Sequence, residues 1–247
     1  MKILVCGANG FVGRAIAERL EREGHAVVRG VRRPLNPGEM AVDYMQDLTP
    51  EQWLAKLDGI EAVVNAVGIL VENSGQTFAN IHTKAPIALF TACRMRGIKR
   101  IVQISALHAE SRQTPYFASK CAADNFLLAE AAHAHVLRPS LIYGDKGASA
   151  RMFRMTASLP LHLLPAGGRQ RFRPLHIDDL AELITRIIAP DICSSRRCIS
   201  CLPCCWSEPA LAARFTCSSS TGLGRSRQLL RSPGWSCAPT GGLPLRQ

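Results

Sequence analysis

The chain has 247 residues, 47% of them hydrophobic and 20% charged, which is enough apolar material for a sizeable core and argues against a wholly disordered, collagen-like or coiled-coil protein. No uninterrupted apolar run approaches the roughly 18 residues of a spanning helix. The net charge of +11 attracts nucleic acid, anionic lipid or phosphorylated ligands without choosing among them.

Composition changes near Pro190. Residues 1–190 carry a net +6 and residues 191–247 a net +5, so the last 57 residues are far more basic per residue. Only Cys6, Cys93 and Cys121 precede that point, while seven of the ten cysteines follow it. Widely spaced thiols in the first part suit a reducing compartment, and the chain is read as cytoplasmic. The expected organisation is a main globular domain over 1–190 and an atypical tail over 191–247.

Ile3 to Cys6 reads as a buried strand, since Gly7-Ala8-Asn9-Gly10 cuts the apolar stretch too short for a signal peptide. Arg14 to Glu23 has apolar residues at helical spacing and is closed by Gly24. Strands are expected at 26–28, 40–42, 62–67, 100–104 and 134–137, with helices at 51–57, 81–96, 116–132 and 179–188. Asp178 is expected to cap the last helix. Strands alternating with helices imply an α/β fold with a doubly wound parallel sheet, which binds ligands at the carboxyl ends of its strands.

Gly7-Ala8-Asn9-Gly10-Phe11-Val12-Gly13 lies between the first strand and the first helix. There the backbone N–H groups and the positive end of a helix dipole meet a dinucleotide pyrophosphate. Gly7 permits the tight turn, Gly10 lets the backbone approach the phosphate, and Gly13 allows close packing of helix on strand. Gly7, Asn9, Gly10, Phe11, Val12 and Gly13 are therefore candidate cofactor contacts, although glycines in a turn are often only turn glycines. After Val28 come Arg29, Gly30, Val31, Arg32 and Arg33 with no acid to accept a ribose 2′-OH. Arg32 and Arg33 are expected to pair with a 2′-phosphate, so NADP is preferred over NAD, the plain alternative being a solvated strand edge.

The G-x-x-G-x-x-G spacing resembles the short-chain dehydrogenase/reductase superfamily, and that resemblance implies a Rossmann-like, three-layer α/β/α fold. Asp47-Leu48 resembles its acidic-apolar pair that contacts adenine, Asp47 alternatively capping the helix before Trp53. Asn65-Ala66-Val67-Gly68 resembles its N-A-x-G strand end, which places Ala66, Val67 and Gly68 beneath the cofactor.

Tyr116-Phe117-Ala118-Ser119-Lys120 sets a phenol and an ammonium one helical turn apart. A neighbouring cation favours phenolate, so Tyr116 is expected to act as acid/base, with Lys120 lowering its pKa and orienting the nicotinamide ribose. Ser105, at the end of the 100–104 strand, is expected to hold the substrate oxygen. Ser105 lacks the usual Ser/Thr partner, and His82 stands where extended members place asparagine. His82 and His108 are read as ordinary polar residues near the site.

A narrower resemblance is to the atypical branch that includes the nucleotide-binding accessory subunit of respiratory complex I. It is carried by Val64 to Leu70, Ile104 to Leu107, Tyr116 to Lys120, Leu137 to Gly144 and Pro174 to Leu180. It implies that Pro139 and Leu141 pass the nicotinamide and that 152–172 forms the substrate-side loop. The function implied is NAD(P) binding with oxidoreductase or epimerase/dehydratase chemistry on an unidentified carbonyl, quinone or sugar-like substrate. The alternative is a non-catalytic nucleotide-binding protein using the cofactor for stability, redox sensing or docking. No aromatic platform or recognition motif supports nucleic-acid binding. Association with a membrane surface or a larger complex, and the oligomeric state, stay open.

Cys198-x-x-Cys201-x-x-Cys204-Cys205 has a spacing used by iron–sulfur proteins. The tail around it is rich in serine, proline, glycine and arginine without helical or strand period, so no metal is expected. The abrupt change at Asp191 also fits a translation-frame change.

Overall fold

The computed structural model describes residues 1–131, 134–158, 160, 167, 173–189 and 197–200. Seven parallel strands are ordered β3-β2-β1-β4-β5-β6-β9. They are β1 (Lys2–Cys6), β2 (Ala26–Val31), β3 (Glu39–Ala41), β4 (Ala62–Asn65), β5 (Arg100–Ile104), β6 (Ala134–Arg138) and β9 (Arg197–Ser200). Helices cover both faces, so β4 and β6 are buried along their whole length, and β1 and β5 after their first residue. Order reverses between β1 and β4, and the two strands pair in register, with Cys6 beside Asn65. The carboxyl ends of this pair are where such a sheet opens to a ligand.

On one face Leu4, Cys6 and Val63 pack with Trp53 of α2 (Pro50–Leu54), Leu89 and Phe90 of α3 (Ala85–Met95) and Leu127 of α4 (Pro115–Glu130). Strand alternation sends Ile3 and Val5 to the other face. That face carries α1 (Phe11–Arg22) and α6 (Ile177–Ile188), which pack on each other and bury Ile16, Leu20, Leu180 and Ile184.

Several expectations need correction. Helix α1 begins at Phe11 rather than Arg14, because the glycine turn itself supplies the first helical turn. The helix expected at 81–96 starts as a π-turn over Ala79–Lys84 before α3. Asp178 lies inside α6, which is capped by His176, whose Nδ1 accepts the Asp178 N–H at 3.3 Å. Residues Ala148–Ala157, expected partly in a loop, form α5. Residues 151–157 are all exposed, so no buried stripe marks that helix in the sequence. Short strands β7 (Ile142–Tyr143) and β8 (Leu175–His176) pair beside it.

Beyond residue 190, β9 pairs with β6 and extends the sheet past the expected boundary. Cys201, Cys204 and Cys205 lie outside the described residues, as does most of the tail. Among the described residues no His/Cys/Asp/Glu group is arranged to hold a metal, and no helix is long and apolar enough to cross a membrane.

Helix α1 packs on the turn through Gly13. A Cβ there would lie 2.2 Å from the Gly7 carbonyl oxygen and 2.7 Å from its carbon, both backbone atoms. Alanine normally gains about 1 kcal/mol over glycine within a helix. Gly13→Ala is nevertheless expected to lose roughly 2 kcal/mol in urea unfolding, because neither backbone can yield. Unchanged or increased stability would show that the helix does not depend on this approach.

Candidate functional site

A cavity of about 330 Å³ opens at the β1/β4 switch, lined by Gly7, Asn9, Gly10, Gly30, Arg32, Asp43, Tyr44, Met45 and Ala66 to Ile69, among others. Gly7 has φ +81°, and a Cβ on it would meet Val67 and the Ala66 backbone at 3.1–3.2 Å. The Gly10 N–H closes the turn on the Gly7 carbonyl at 2.9 Å. No side chain caps α1 at Gly10 and no acid stands in its first turn, leaving helix-start amides and positive dipole for an anion. The cradle fits a pyrophosphate, and a side chain at Gly7 would crowd its wall.

Arg32 lines this cavity, whereas Arg33 is exposed and outside its lining. Neighbouring Arg29 is turned away, paired with Glu21 at 2.7 Å. The lining includes Asn9 and Gly10, but not Val12 or Gly13; Phe11 faces a separate cavity with Arg14, Lys146 and His176.

Asp47 and Leu48 are not on the wall, and the acidic-apolar pair that is there is Asp43-Tyr44. Asp47 works from behind. Its Oδ2 accepts the Asp43 N–H at 2.8 Å and pairs with Lys56, and its carbonyl accepts the Trp53 indole N–H at 2.9 Å. Nor does Asp47 cap α2, since Thr49 and Gln52 form the capping box. Asn65 is fully buried: Oδ1 accepts from the Tyr44 hydroxyl at 2.7 Å and from the Val67 N–H at 3.1 Å, while Nδ2 donates to Gln103 Oε1 at 2.7 Å. Leu48 packs against the core. Pro139 and Leu141 lie off the cavity, their carbonyls accepting from the Leu107 and Leu175 N–H groups at 2.9 Å.

The cavity wall meets Lys120 and His82 at Gly68. A Cβ on Gly68 would lie 3.0 Å from Lys120 Nζ and 3.5 Å from His82 Nε2. Lys120 is 4% exposed and its Nζ donates to the carbonyl of Ile104, the last residue of β5, at 3.1 Å. Burial drives its pKa down from 10.5 to about 8, and Asp124 opposes the fall. Tyr116 lies one turn earlier on α4, with its ring edge-on to Phe78 and His82 at centroid distances of 5.9 and 5.4 Å. Burial pushes its phenol up, the reverse of the expected lowering by Lys120. The reason is directional, because Lys120 sends its ammonium beneath Gly68 and onto β5.

Ser105 also departs from expectation. Its side chain donates to Asp124 Oδ2 at 2.7 Å, and Arg138 Nε reaches the same oxygen at 3.1 Å. Its hydroxyl therefore serves a buried ion pair.

His82 is 1% exposed, and its Nε2 accepts the Ile69 N–H at 3.0 Å. Its Nδ1 lies 3.0 Å from Ser119 Oγ, which donates to the Tyr116 carbonyl at 2.8 Å. These partners assign a neutral ring protonated at Nδ1. Burial, with Lys120 nearby, takes its pKa down to about 3. His82 thus pins the strand-end loop to α4. His108 is exposed at φ +66°. Sequence reasoning missed Asp43, Tyr44 and Asp124, and the available signals were the strand just before Asp43 and the four-residue spacing of Asp124 from Lys120.

Residues 3–192 match the family described as NAD dependent epimerase/dehydratase. The mitochondrial NADH-ubiquinone oxidoreductase 40 kDa subunit of Neurospora crassa is 23% identical over 197 residues, covering 76% of this chain and 52% of that protein. Ceramide reductase of Caulobacter vibrioides is 27% identical over 186 residues, covering 72% and 58%. The chain thus spans about half the length of these relatives. The crystal structure of human epimerase family protein SDR39U1 (isoform 2) with NADPH aligns at TM-score 0.61 and 19% identity, covering 81% of this chain and 74% of that one; it shares the fold.

The Lys120 shift has a measurable consequence. Below pH 8 the ammonium is charged in folded and unfolded chains alike, and its burial cost is fully present. Between pH 8 and 10.5 the unfolded chain binds the proton more tightly, so the wild type gains stability as pH rises. The unfolding free energy of Lys120→Met relative to wild type is expected to fall by roughly 3 kcal/mol across that window. A pH-independent difference in urea titrations would contradict the assignment.

Proposed function

The chain belongs to the NAD dependent epimerase/dehydratase family, and from that premise we propose that it binds NADP(H) in preference to NAD(H) and performs oxidoreductase or epimerase-type chemistry on a carbonyl, quinone or sugar-like substrate. The observation that carries the catalytic reading is the placement of Lys120 Nζ directly behind Gly68, at the cavity wall, with Tyr116 one helical turn before it. When bound, the nicotinamide supplies or accepts hydride.

The chain's own residues have separable tasks. Gly7, Gly10 and the start of α1 hold the pyrophosphate, and Arg32 takes the 2′-phosphate. Asp43 and Tyr44 shape the adenine side in place of Asp47 and Leu48. Lys120 donates to the ribose hydroxyls. Tyr116 moves a proton to or from the substrate oxygen at Oη, with its neutral phenol fitted to the donating direction.

A second reading, a nucleotide-binding protein without turnover, is favoured by one observation. Ser105 and His82 are both committed to internal hydrogen bonds. Cys6, Cys93 and Cys121 are free and buried, which supports a reducing compartment such as the cytoplasm.

Dissociation constants at fixed salt test the cofactor assignment. Arg32→Ala is expected to weaken NADPH about tenfold and leave NADH nearly unchanged, the loss of one charge-assisted contact. Arg33→Ala should change neither. Equal affinities for the two dinucleotides, indifferent to Arg32, would remove the NADP preference.

Turnover of NADPH with a panel of aldehydes, ketones, quinones and nucleotide sugars separates the two functional readings. Tyr116→Phe should abolish turnover while leaving cofactor affinity close to wild type. Tight binding without consumption, unaffected by that substitution, selects the non-catalytic reading.

A further inference from the structure

We propose that Asp124 is a positioning residue for Lys120, a buried counter-charge that keeps the lysine cationic at the cofactor cleft. The inference deepens the functional reading, since it matters to function only if Lys120 holds the dinucleotide. Four residues separate the two side chains on α4, so they share a face of the helix. Lys120 is 4% exposed and Asp124 fully buried. A buried ammonium without a countercharge sheds its proton.

The charged and titratable groups around the pair come from every element packed on it. Helix α4 supplies Tyr116 as well as Asp124. The π-turn supplies His82, which is neutral and adds no charge. Strand β5 supplies the Ile104 carbonyl and is followed by Ser105, both uncharged. Strand β6 supplies Arg138, which Glu110 of the Ala109–Ser111 turn also contacts at 3.2 Å. Asp124 is thus a buried anion that pairs with Arg138 at 3.1 Å and lies one helical turn from Lys120.

Its hydrogen bonds fix its form. Oδ2 accepts from the Ser105 hydroxyl at 2.7 Å and from Arg138 Nε at 3.1 Å, which is the pattern of a carboxylate. Oδ1 is buried with no hydrogen-bond partner. A protonated Oδ1 would leave a donor with no acceptor. Burial pushes the Asp124 carboxyl up, while Ser105, Arg138 and Lys120 pull it back. On the other side, Asp124 raises the Lys120 pKa against desolvation. The Coulomb interaction is reciprocal.

The test is a titration of the full chain, without cofactor, labelled with ¹³C in its lysines. The Lys120 Cε signal, assigned by its loss in Lys120→Met, should titrate near pH 8 in the wild type. In Asp124→Asn the midpoint should fall by about one pH unit or more, a tenfold weaker hold on the proton. A midpoint equal to or above wild type overturns the proposal. If Asp124→Asn does not fold, reciprocity supplies the same measurement in another variant. The Asp124 carboxyl ¹³C signal in Lys120→Met should titrate about one unit higher than in the wild type, since the coupling is symmetric, and an unmoved carboxyl overturns the idea. An NADPH titration of the wild type is a separate arm. Failure to bind NADPH with the lysine shift intact rejects the cofactor reading and leaves the counter-charge standing.

Discussion

The buried carboxamide of Asn65 is the interaction on which the cleft depends. Its three hydrogen bonds reach the Tyr44 hydroxyl, the Val67 amide and Gln103 of the next strand, so one side chain joins the end of β4, the loop after β3 and strand β5. Strands β1 and β4 are paired up to Cys6 and Asn65, and the chain then diverges into the glycine turn and the Ala66 to Ile69 segment. Divergence at a switch point would expose strand-end amides, and Asn65 satisfies one of them from inside the core. Aspartate at this position could accept the same bonds but could not donate to Gln103 Oε1. A carboxylate there would meet an acceptor in a fully buried site, a cost of several kcal/mol.

From that junction the cleft gains a phosphate end and a cationic end. The phosphate end is made of backbone, with glycines keeping side chains out of the space between Gly7 and the Ala66–Val67 wall. The cationic end is made of side chains held in place by burial. Lys120 reaches Ile104 and sits behind Gly68, and a carboxylate one turn further along α4 opposes the desolvation of its charge. The two ends follow opposite physical rules. Backbone amides keep their partial charge at any pH, whereas the ammonium holds its proton only below about pH 8. Electrostatic attraction for a dinucleotide therefore has a permanent part and a part that alkaline conditions remove.

The local part of this arrangement was legible in the sequence. The run from Ile3 through the glycine spacing to Leu20 is strand, turn and amphipathic helix within twenty residues, and the strand expected at 100–104 is the one found. What escaped depends on contacts distant in sequence. An acidic residue followed by an apolar or aromatic one occurs twice within six residues, at Asp43-Tyr44 and at Asp47-Leu48. Only the bond from Tyr44 to Asn65, 21 residues away, decides which pair faces the cleft. The direction of Ser105 is set by Asp124, 19 residues later. Helix α5 escaped for another reason, since a helix exposed along residues 151–157 carries no buried period to read.

The Ser105 hydroxyl bears on the chemistry that remains open to the site. Turning it toward the cleft would leave Asp124 Oδ2 with Arg138 alone, while Oδ1 already has no hydrogen-bond partner. A lost hydrogen bond to a buried carboxylate costs about 1.5–3 kcal/mol, and that loss would fall on the same anion that keeps Lys120 charged. The Ser105 hydroxyl therefore stays with Asp124, and the proposed proton donor to a substrate oxygen is Tyr116. With its phenol neutral at physiological pH, Tyr116 is suited to giving a proton to an oxygen that gains charge as hydride arrives at carbon. Reduction of a carbonyl makes that demand, whereas oxidation of an alcohol needs the phenolate that burial disfavours.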